Sequence, residues 1–385
     1  MLSLLTLTAL LAGDALAKTC YNATVDVPVT SRNGVFNKIN TPQTNMDVVA
    51  FTLNATRQGS NGTQEALSGY PTVNGTYKIS TQYCAPEHTS GNASNVLQIL
   101  THGIGFDKTY WDLPYHAFNY SYIDNALAHG YHTLSYDRIG VGNSSHGEPK
   151  NEIQAFLETA SLAQITRLAR NGSFAGIPPT QGSSRPRFDK IVHVGHSFGS
   201  SQTYALTAME PSISDGIVLT GFSVNSTFTP YFLAGANFQQ AHLGLPKPRN
   251  ATYPPGYLVP ANANANEFLF FYPGHFDPRI LAFAEQSKKP VSVGELLTLG
   301  SIPMQSPFRG PVLVVTGSND LPYCAGDCLN TGGSGMSIPA EAEMAFGDAS
   351  SFEAYIQPNT GHGINLHYNA TGAYEVIADW VKQNV

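Results

Sequence analysis

The sequence predicts an α/β fold: a mostly parallel sheet with helices on both faces and an inserted lid. Two observations carry this. Short strands, apolar almost from end to end, alternate with helical patterns, as expected of a sheet covered on both sides. Residues 223–308 then break the alternation with a Pro-, Asn- and aromatic-rich stretch, nearly free of charge before Glu267.

Along the chain, 21–36, 47–56 and 76–84 alternate like half-buried strands, for example at Val48, Ala50 and Thr52. With no helices between them, they predict an antiparallel edge. Val96 to Leu100 forms a buried strand ending at His102-Gly103-Ile104-Gly105. A helical pattern at 118–129 precedes a strand at 131–136, which ends in Asp137-Arg138-Ile139-Gly140. A helix over 152–170 stops at Asn171-Gly172. Strand 189–194 feeds Gly195-His196-Ser197-Phe198-Gly199, a helix through Met209, and strand 216–222. After the break, strands at 311–316 and 352–357 resume the pattern. A last helix sets Ala373, Val376, Ile377, Trp380 and Val381 on one stripe. The predicted organisation is a signal peptide at 1–17, a core at 18–222, a lid at 223–308 and the rest of the core at 309–385. No internal repeat is present.

Of the 385 residues only 12% are charged, about half the usual share. The net charge is −7. A nucleic-acid binder would show a basic face, and a disordered chain would lack the 20 Phe and 19 Tyr found here. The first residues, MLSLLTLTALLAGDALA, read as a secretory signal cleaved after Ala17, although no Lys or Arg precedes the apolar run and Asp14 interrupts its end. The run is too short to span a bilayer, and no later stretch reaches that length, so no stable membrane insertion is expected. Eleven N-x-[ST] sequons follow, at Asn22, Asn54, Asn61, Asn74, Asn92, Asn119, Asn143, Asn171, Asn225, Asn250 and Asn369. Composition alone would supply about four. The expectation is a secreted, extracellular glycoprotein in which sugar replaces charge as the solubilising layer. Cys20, Cys84, Cys324 and Cys328 suggest two disulfides in such a compartment. Three pairings are possible. Locality favours Cys324–Cys328 and leaves Cys20–Cys84; a zinc half-site lacks a nearby second pair.

The chemistry centres on Gly195-His196-Ser197-Phe198-Gly199 between a strand and a helix. A G-x-S-x-G turn in that context is sharp, strained at the serine, and lifts the hydroxyl above the sheet. A serine hydroxyl needs a base, and His362, flanked by Gly361 and Gly363 just past the last strand, is placed to reach it. The imidazole needs a carboxylate, and Asp320 directly follows strand 311–316. His367 and Asp327 are the competing choices. An oxyanion hole is expected from the backbone N–H groups of Phe198 and Ile104. His102 and His196 read as braces for these loops.

These motifs, with Asp137 to Ser144 as a D-x-x-G-x-G-x-S loop, resemble the α/β-hydrolase superfamily over about 95–222 and 309–385. The overall look is that of a secreted fungal member, a serine hydrolase of the esterase or lipase kind. The resemblance implies the α/β-hydrolase fold, the nucleophile–acid–histidine order Ser197, Asp320, His362, and a lid at 223–308. It implies no metal and no cofactor. Most lid aromatics are expected to form the core of a small helical cap, with Phe228, Tyr231 and Phe232 lining an apolar substrate pocket. The expected reaction is cleavage of a small hydrophobic carboxylic ester or lactone through an acyl-enzyme. Two alternatives stand beside it. One is a prolyl-aminopeptidase-like peptidase, which would need lid carboxylates to hold an ammonium group. The other is a lyase or binding protein on the same fold.

Overall fold

The computed structural model describes residues 18–59, 62–87, 95–179, 184–301, 303–333 and 335–385. The expected signal peptide, Asn61 and Asn92 lie outside them. Lys18 opens the described chain and pairs with Asp112 and, at 2.9 Å, with Asp124.

Strands β1 (Thr19–Arg32) and β2 (Thr72–Ala85) pair antiparallel along their whole length. Alternate residues Val25, Val27 and Val29 turn inward, as period-two pleating requires. Cys20 lies directly opposite Cys84 in this register, and the two are joined, with their Cα atoms 4.1 Å apart.

Between these strands the expectation fails. Residues 47–56 are not a strand but belong to helix α1 (Asn45–Thr56), followed by the short α2 (Gly62–Ala66). The Thr44 hydroxyl accepts from the Asp47 N–H at 3.2 Å, and the Asp47 carboxylate accepts from the Thr44 N–H at 3.0 Å. This reciprocal cap satisfies two otherwise orphaned donors and fixes the helix start. Val48 and Phe51, one turn apart, then face inward; the short alternation Val48, Ala50, Thr52 imitates a strand without being one.

The central elements follow in order: β3 (Val96–Thr101), α3 (Tyr122–Ala128), β4 (His132–Tyr136), α4 (Ala155–Arg170), β5 (Lys190–His196), α5 (Phe198–Met209) and β6 (Gly216–Thr220). The 223–308 segment contributes α6 (Thr229–Gly235), β7 (Gln239–Gln240), α7 (Ala241–Gly244), β8 (Tyr257–Val259), α8 (Ala263–Phe270), α9 (Pro278–Ser287), β9 (Val291–Ser292) and α10 (Val293–Thr298). The three short strands form their own antiparallel sheet, so this segment is mixed rather than a purely helical cap. The chain closes with β10 (Val312–Gly317), α11 (Leu321–Cys324), β11 (Phe352–Gln357) and α12 (Ala370–Asn384).

The main sheet has eight strands in the order β1-β2-β4-β3-β5-β6-β10-β11. It is parallel from β4 to β11; β1 and β2 form the antiparallel edge. Residues on one strand divide between its two faces. Val96 and Leu100 pack with Ile123 of α3 and Ile377 and Val381 of α12. Leu97 and Ile99 pack with Leu157, Leu162 and Ile165 of α4 on the other face. Each such fully buried aliphatic side chain contributes about 1.5–3 kcal/mol relative to exposure. Among the described residues no helix is long and apolar enough to cross a membrane. The parallel strands deliver their following loops to one edge of the sheet, where Ser197, Asp320 and His362 meet.

Candidate active site

Ser197 joins β5 to α5 with φ 55° and ψ −118°, a left-handed conformation that a side-chain-bearing residue rarely adopts. Packing enforces it. A Cβ on Gly199 would lie 2.2 Å from the Thr101 carbonyl oxygen, and one on Gly195 would lie 2.6 Å from the Gly199 carbonyl oxygen. Strand and helix therefore close on the turn only with glycine at both positions. The Ser197 N–H is tied to the Thr220 carbonyl at 2.8 Å.

Two loops bring their side chains to this hydroxyl. His362 Nε2 lies 2.7 Å from Ser197 Oγ, and His362 Nδ1 lies 2.5 Å from Asp320 Oδ2. Asp320 is fully buried, and its Oδ1 accepts from the Tyr323 N–H at 2.9 Å, so the carboxylate caps α11 while orienting the imidazole. The 324–328 loop behind it is closed by the Cys324–Cys328 disulfide. Asp327, the competing acid, instead accepts from the Leu329 N–H.

Gly103 packs directly against Ser197: a Cβ there would meet Ser197 Cβ at 2.9 Å. This places the Ile104 backbone beside Ser197. Among the described residues, neither the Ile104 nor the Phe198 N–H has an intramolecular acceptor. Both residues line a cavity of about 690 Å³ that opens on Ser197. Its wall includes Phe232, Leu233, Leu299, Pro303, Met304, Pro322, Tyr323 and Ala345 and, among the described residues, no Asp, Glu, Lys or Arg. Of the three aromatics expected there, only Phe232 lines it. Phe228 packs instead against the Cys324, Cys328 and Ile338 cluster, and Tyr231 stacks on Phe228 and is 55% exposed. The cause is the short helix α6: Phe232 lies on its buried face, and Tyr231, one residue earlier, points away.

The alpha/beta hydrolase family model matches residues 98–373, a span that contains Ser197, Asp320 and His362. The chain belongs to the alpha/beta hydrolase family. No curated protein matches the sequence. Among solved structures, a thermophilic esterase from Thermogutta terrifontis, with malate bound, is 15% identical. It superposes with a TM-score of 0.50 over 80% of this chain and 94% of that one. The enol-lactonase from Burkholderia xenovorans LB400 is 16% identical, with a TM-score of 0.50 over 79% of this chain and 97% of that one. At such identities the likeness is one of fold.

In this hydrolase three further buried histidines hold the loops. His102 Nδ1 donates to the Gly103 carbonyl at 2.9 Å and its Nε2 accepts from the Arg138 N–H at 3.1 Å; burial, then the Arg138 charge, lowers its pKa to about 3. His367, the competing base, lies away from Ser197: its Nε2 accepts from Tyr272 and Gly361 N–H groups at 2.9 and 3.0 Å, and its Nδ1 donates to Gly363 at 2.9 Å. It clasps the His362 loop to the 223–308 segment. His196 stacks on Tyr110 at 4.3 Å, with Nδ1 3.1 Å from Thr220 Oγ1; burial holds its pKa well below 6.5. Asp137 accepts from Lys108 and from the Asn143 N–H, closing the loop that carries Arg138.

The cavity residues Ser201 and Tyr323 were not singled out from the sequence. Their signal was available: Ser201 lies one helical turn after Ser197, and Tyr323 three residues after Asp320. Of the sequon asparagines, Asn22, Asn54, Asn74, Asn119, Asn143 and Asn171 are exposed, and Asn225 and Asn369 half-buried. The Asn250 side chain lies outside the described residues.

Proposed function

We propose that this protein is a secreted serine hydrolase that cleaves a neutral, hydrophobic carboxylic ester or lactone. One observation carries the reading: a hydroxyl–imidazole–carboxylate relay, Ser197–His362–Asp320, opens on a cavity whose described wall bears no charge. In the proposed reaction Ser197 Oγ attacks the ester carbonyl while His362 Nε2 takes its proton, and the Asp320 carboxylate holds Nδ1–H and favours the imidazolium that forms. The carbonyl oxygen, now negative, accepts from the N–H groups of Phe198 and Ile104. The C–O bond breaks as His362 returns the proton to the leaving alcohol, which leaves an acyl group on Ser197. Water, deprotonated by His362, then releases the acid.

Apolar walls desolvate such a substrate at little cost, whereas a cationic substrate would enter without a counter-charge. That weighs against the aminopeptidase alternative, for Glu267 is not part of the wall. The two disulfides and the exposed sequons support secretion. The test is a panel of p-nitrophenyl esters with varied acyl length, run on wild type and Ser197→Ala, with fluorophosphonate labelling of Ser197. Turnover and labelling that both vanish in the variant are expected. A wild-type protein that neither turns over nor labels ends the reading.

A further inference from the structure

The cavity wall is not uniformly apolar, and its polar groups differ in how far they are committed. The Ser223 hydroxyl donates to the Ile338 carbonyl at 3.2 Å and accepts from the Asn225 N–H at 3.2 Å. The Gln305 amide donates to the Met344 carbonyl at 3.3 Å. The Asn225 carbonyl oxygen accepts from the Thr227 N–H at 2.9 Å. The Ser226 and Thr229 hydroxyls belong to exposed and half-exposed residues, whereas Ser201 and Tyr323 bond to each other. Among the described residues their hydroxyls have only each other, at 3.4 Å, the long limit of a hydrogen bond. Ser201 is buried, and both line the cavity that holds Ser197. Each hydroxyl can donate one bond and accept two, so this pair leaves most of its capacity unspent within the protein. Unspent capacity of that kind costs stability unless a guest uses it.

We propose that the Ser201–Tyr323 hydroxyl pair is a specificity site that binds a neutral, hydrogen-bond-accepting oxygen on the acyl chain of the substrate. The inference rests on the ester-hydrolase reading and adds the substrate class to it. The acyl group is the part that becomes bonded to Ser197, so it is held along the start of α5, and Ser201 lies one turn further along that helix. A turn rises about 5.4 Å, which places the oxygen roughly four bonds from the scissile carbonyl. Among the described residues no cation lines the cavity to meet a carboxylate, so the oxygen is neutral; burial pushes Tyr323 up to about 12, so the phenol keeps its proton and can donate it to that oxygen. Tyr323 is fixed for this task. It lies in α11 between Asp320 and the Cys324–Cys328 disulfide, and its N–H is bonded to Asp320.

The experiment compares p-nitrophenyl hexanoate with its ether isostere, p-nitrophenyl 4-methoxybutanoate, whose oxygen lies four bonds from the carbonyl. The readout is the ratio of kcat/KM for the ether over the alkyl ester in wild type, Ser201→Ala, Tyr323→Phe and the double variant. Both substitutions remove one oxygen and leave the backbone bonds in place, and thermal melts report folding. The expected result is a ratio that falls about fivefold in each single variant and further in the double. A ratio that stays within twofold in all three variants overturns the site while ester turnover leaves the hydrolase reading standing. So does an equal loss on both esters, which would make the pair structural. A wild type that cleaves neither ester and is not labelled at Ser197 overturns both.

Discussion

Gly103→Ala isolates the oxyanion loop from the relay. Gly103 does not have a left-handed backbone, so alanine there meets a steric limit and not a conformational one. Its Cβ would lie 2.9 Å from Ser197 Cβ and 3.0 Å from the His196 carbonyl oxygen, where ordinary carbon contacts begin near 3.4 Å. The loop must therefore retreat by about 0.5 Å, because the elbow on the other side is locked by its own glycines. Retreat is opposed by His102, bonded to both the Gly103 carbonyl and the Arg138 N–H. The Ile104 N–H then stands off from the developing oxyanion. Complete loss of one such donor costs about 2.7–4 kcal/mol, or 10²–10³ in kcat, and partial displacement should cost about 10–100-fold. The assay is kcat and KM on a p-nitrophenyl ester, with the rate of fluorophosphonate labelling as a second readout. A kcat within threefold of wild type, at an unchanged melting temperature, would refute the assignment of Ile104.

Other consequences are equally direct. Asp320→Asn keeps the shape but offers His362 Nδ1 the wrong partner, and kcat should fall about 10⁴-fold with KM little changed, as read from initial rates. Burial lowers His102 and His193 to about 3 and His367 to about 4, against 6.5 when unfolded. The unfolded chain therefore takes up protons first, so this stability is present above pH 6.5 and is lost as pH falls toward 4; a melting temperature flat over that range would contradict it. The Asn369 amide donates to the Pro358 carbonyl at 2.6 Å and accepts from the Thr360 hydroxyl at 3.0 Å. Peptide mass spectrometry of protein from a glycosylating host should therefore find Asn369 bare and the exposed Asn22, Asn74 and Asn171 occupied.

What was legible in the sequence is what the backbone itself dictates. A parallel sheet sends every following loop to one edge, so the meeting of Ser197, Asp320 and His362 could be read from loops after strands, without any knowledge of side-chain packing. Helix α1 was misread because Val48, Ala50 and Thr52 alternate over too short a run to separate a period of 2 from one of 3.6, while the Thr44–Asp47 cap, the stronger signal, was passed over. The pocket was the least legible part. Composition supplies aromatics to α6, but which of Phe228, Tyr231 and Phe232 faces inward depends on where a seven-residue helix begins and how it rotates. The wall residues Leu299, Pro303, Met304 and Met344 come from segments whose proximity to Ser197 no local pattern announces.

Three of the chain's buried charged residues, Arg138, Glu158 and Glu295, meet in one cluster that decides one more property. Arg138 is sealed beneath the Phe198 ring, 4.9 Å from its centroid, and bonds both Glu158 of α4 and Glu295 of α10, joining the core to the 223–308 segment. One cation facing two carboxyls would leave a net negative charge in the interior, and an unpaired buried charge is costly. A proton removes it. Both oxygens of Glu295 accept, from Arg138 and from the Ser292 N–H at 2.6 Å, whereas Glu158 Oε1 is buried with no partner among the described residues. Glu158 takes it: burial, only partly offset by Arg138, raises its pKa well above 4.5. The native chain then holds a proton that the unfolded chain releases above pH 4.5, so this stability is present below that pH and is lost as pH rises through the native value. Glu158→Gln replaces the protonated carboxyl with a group that never ionises, and Gln still accepts from Arg138. The variant's melting temperature should gain on wild type as pH rises from 5 to 8. A difference independent of pH would show that Glu158 is ionised in the fold and that Arg138 balances both glutamates alone.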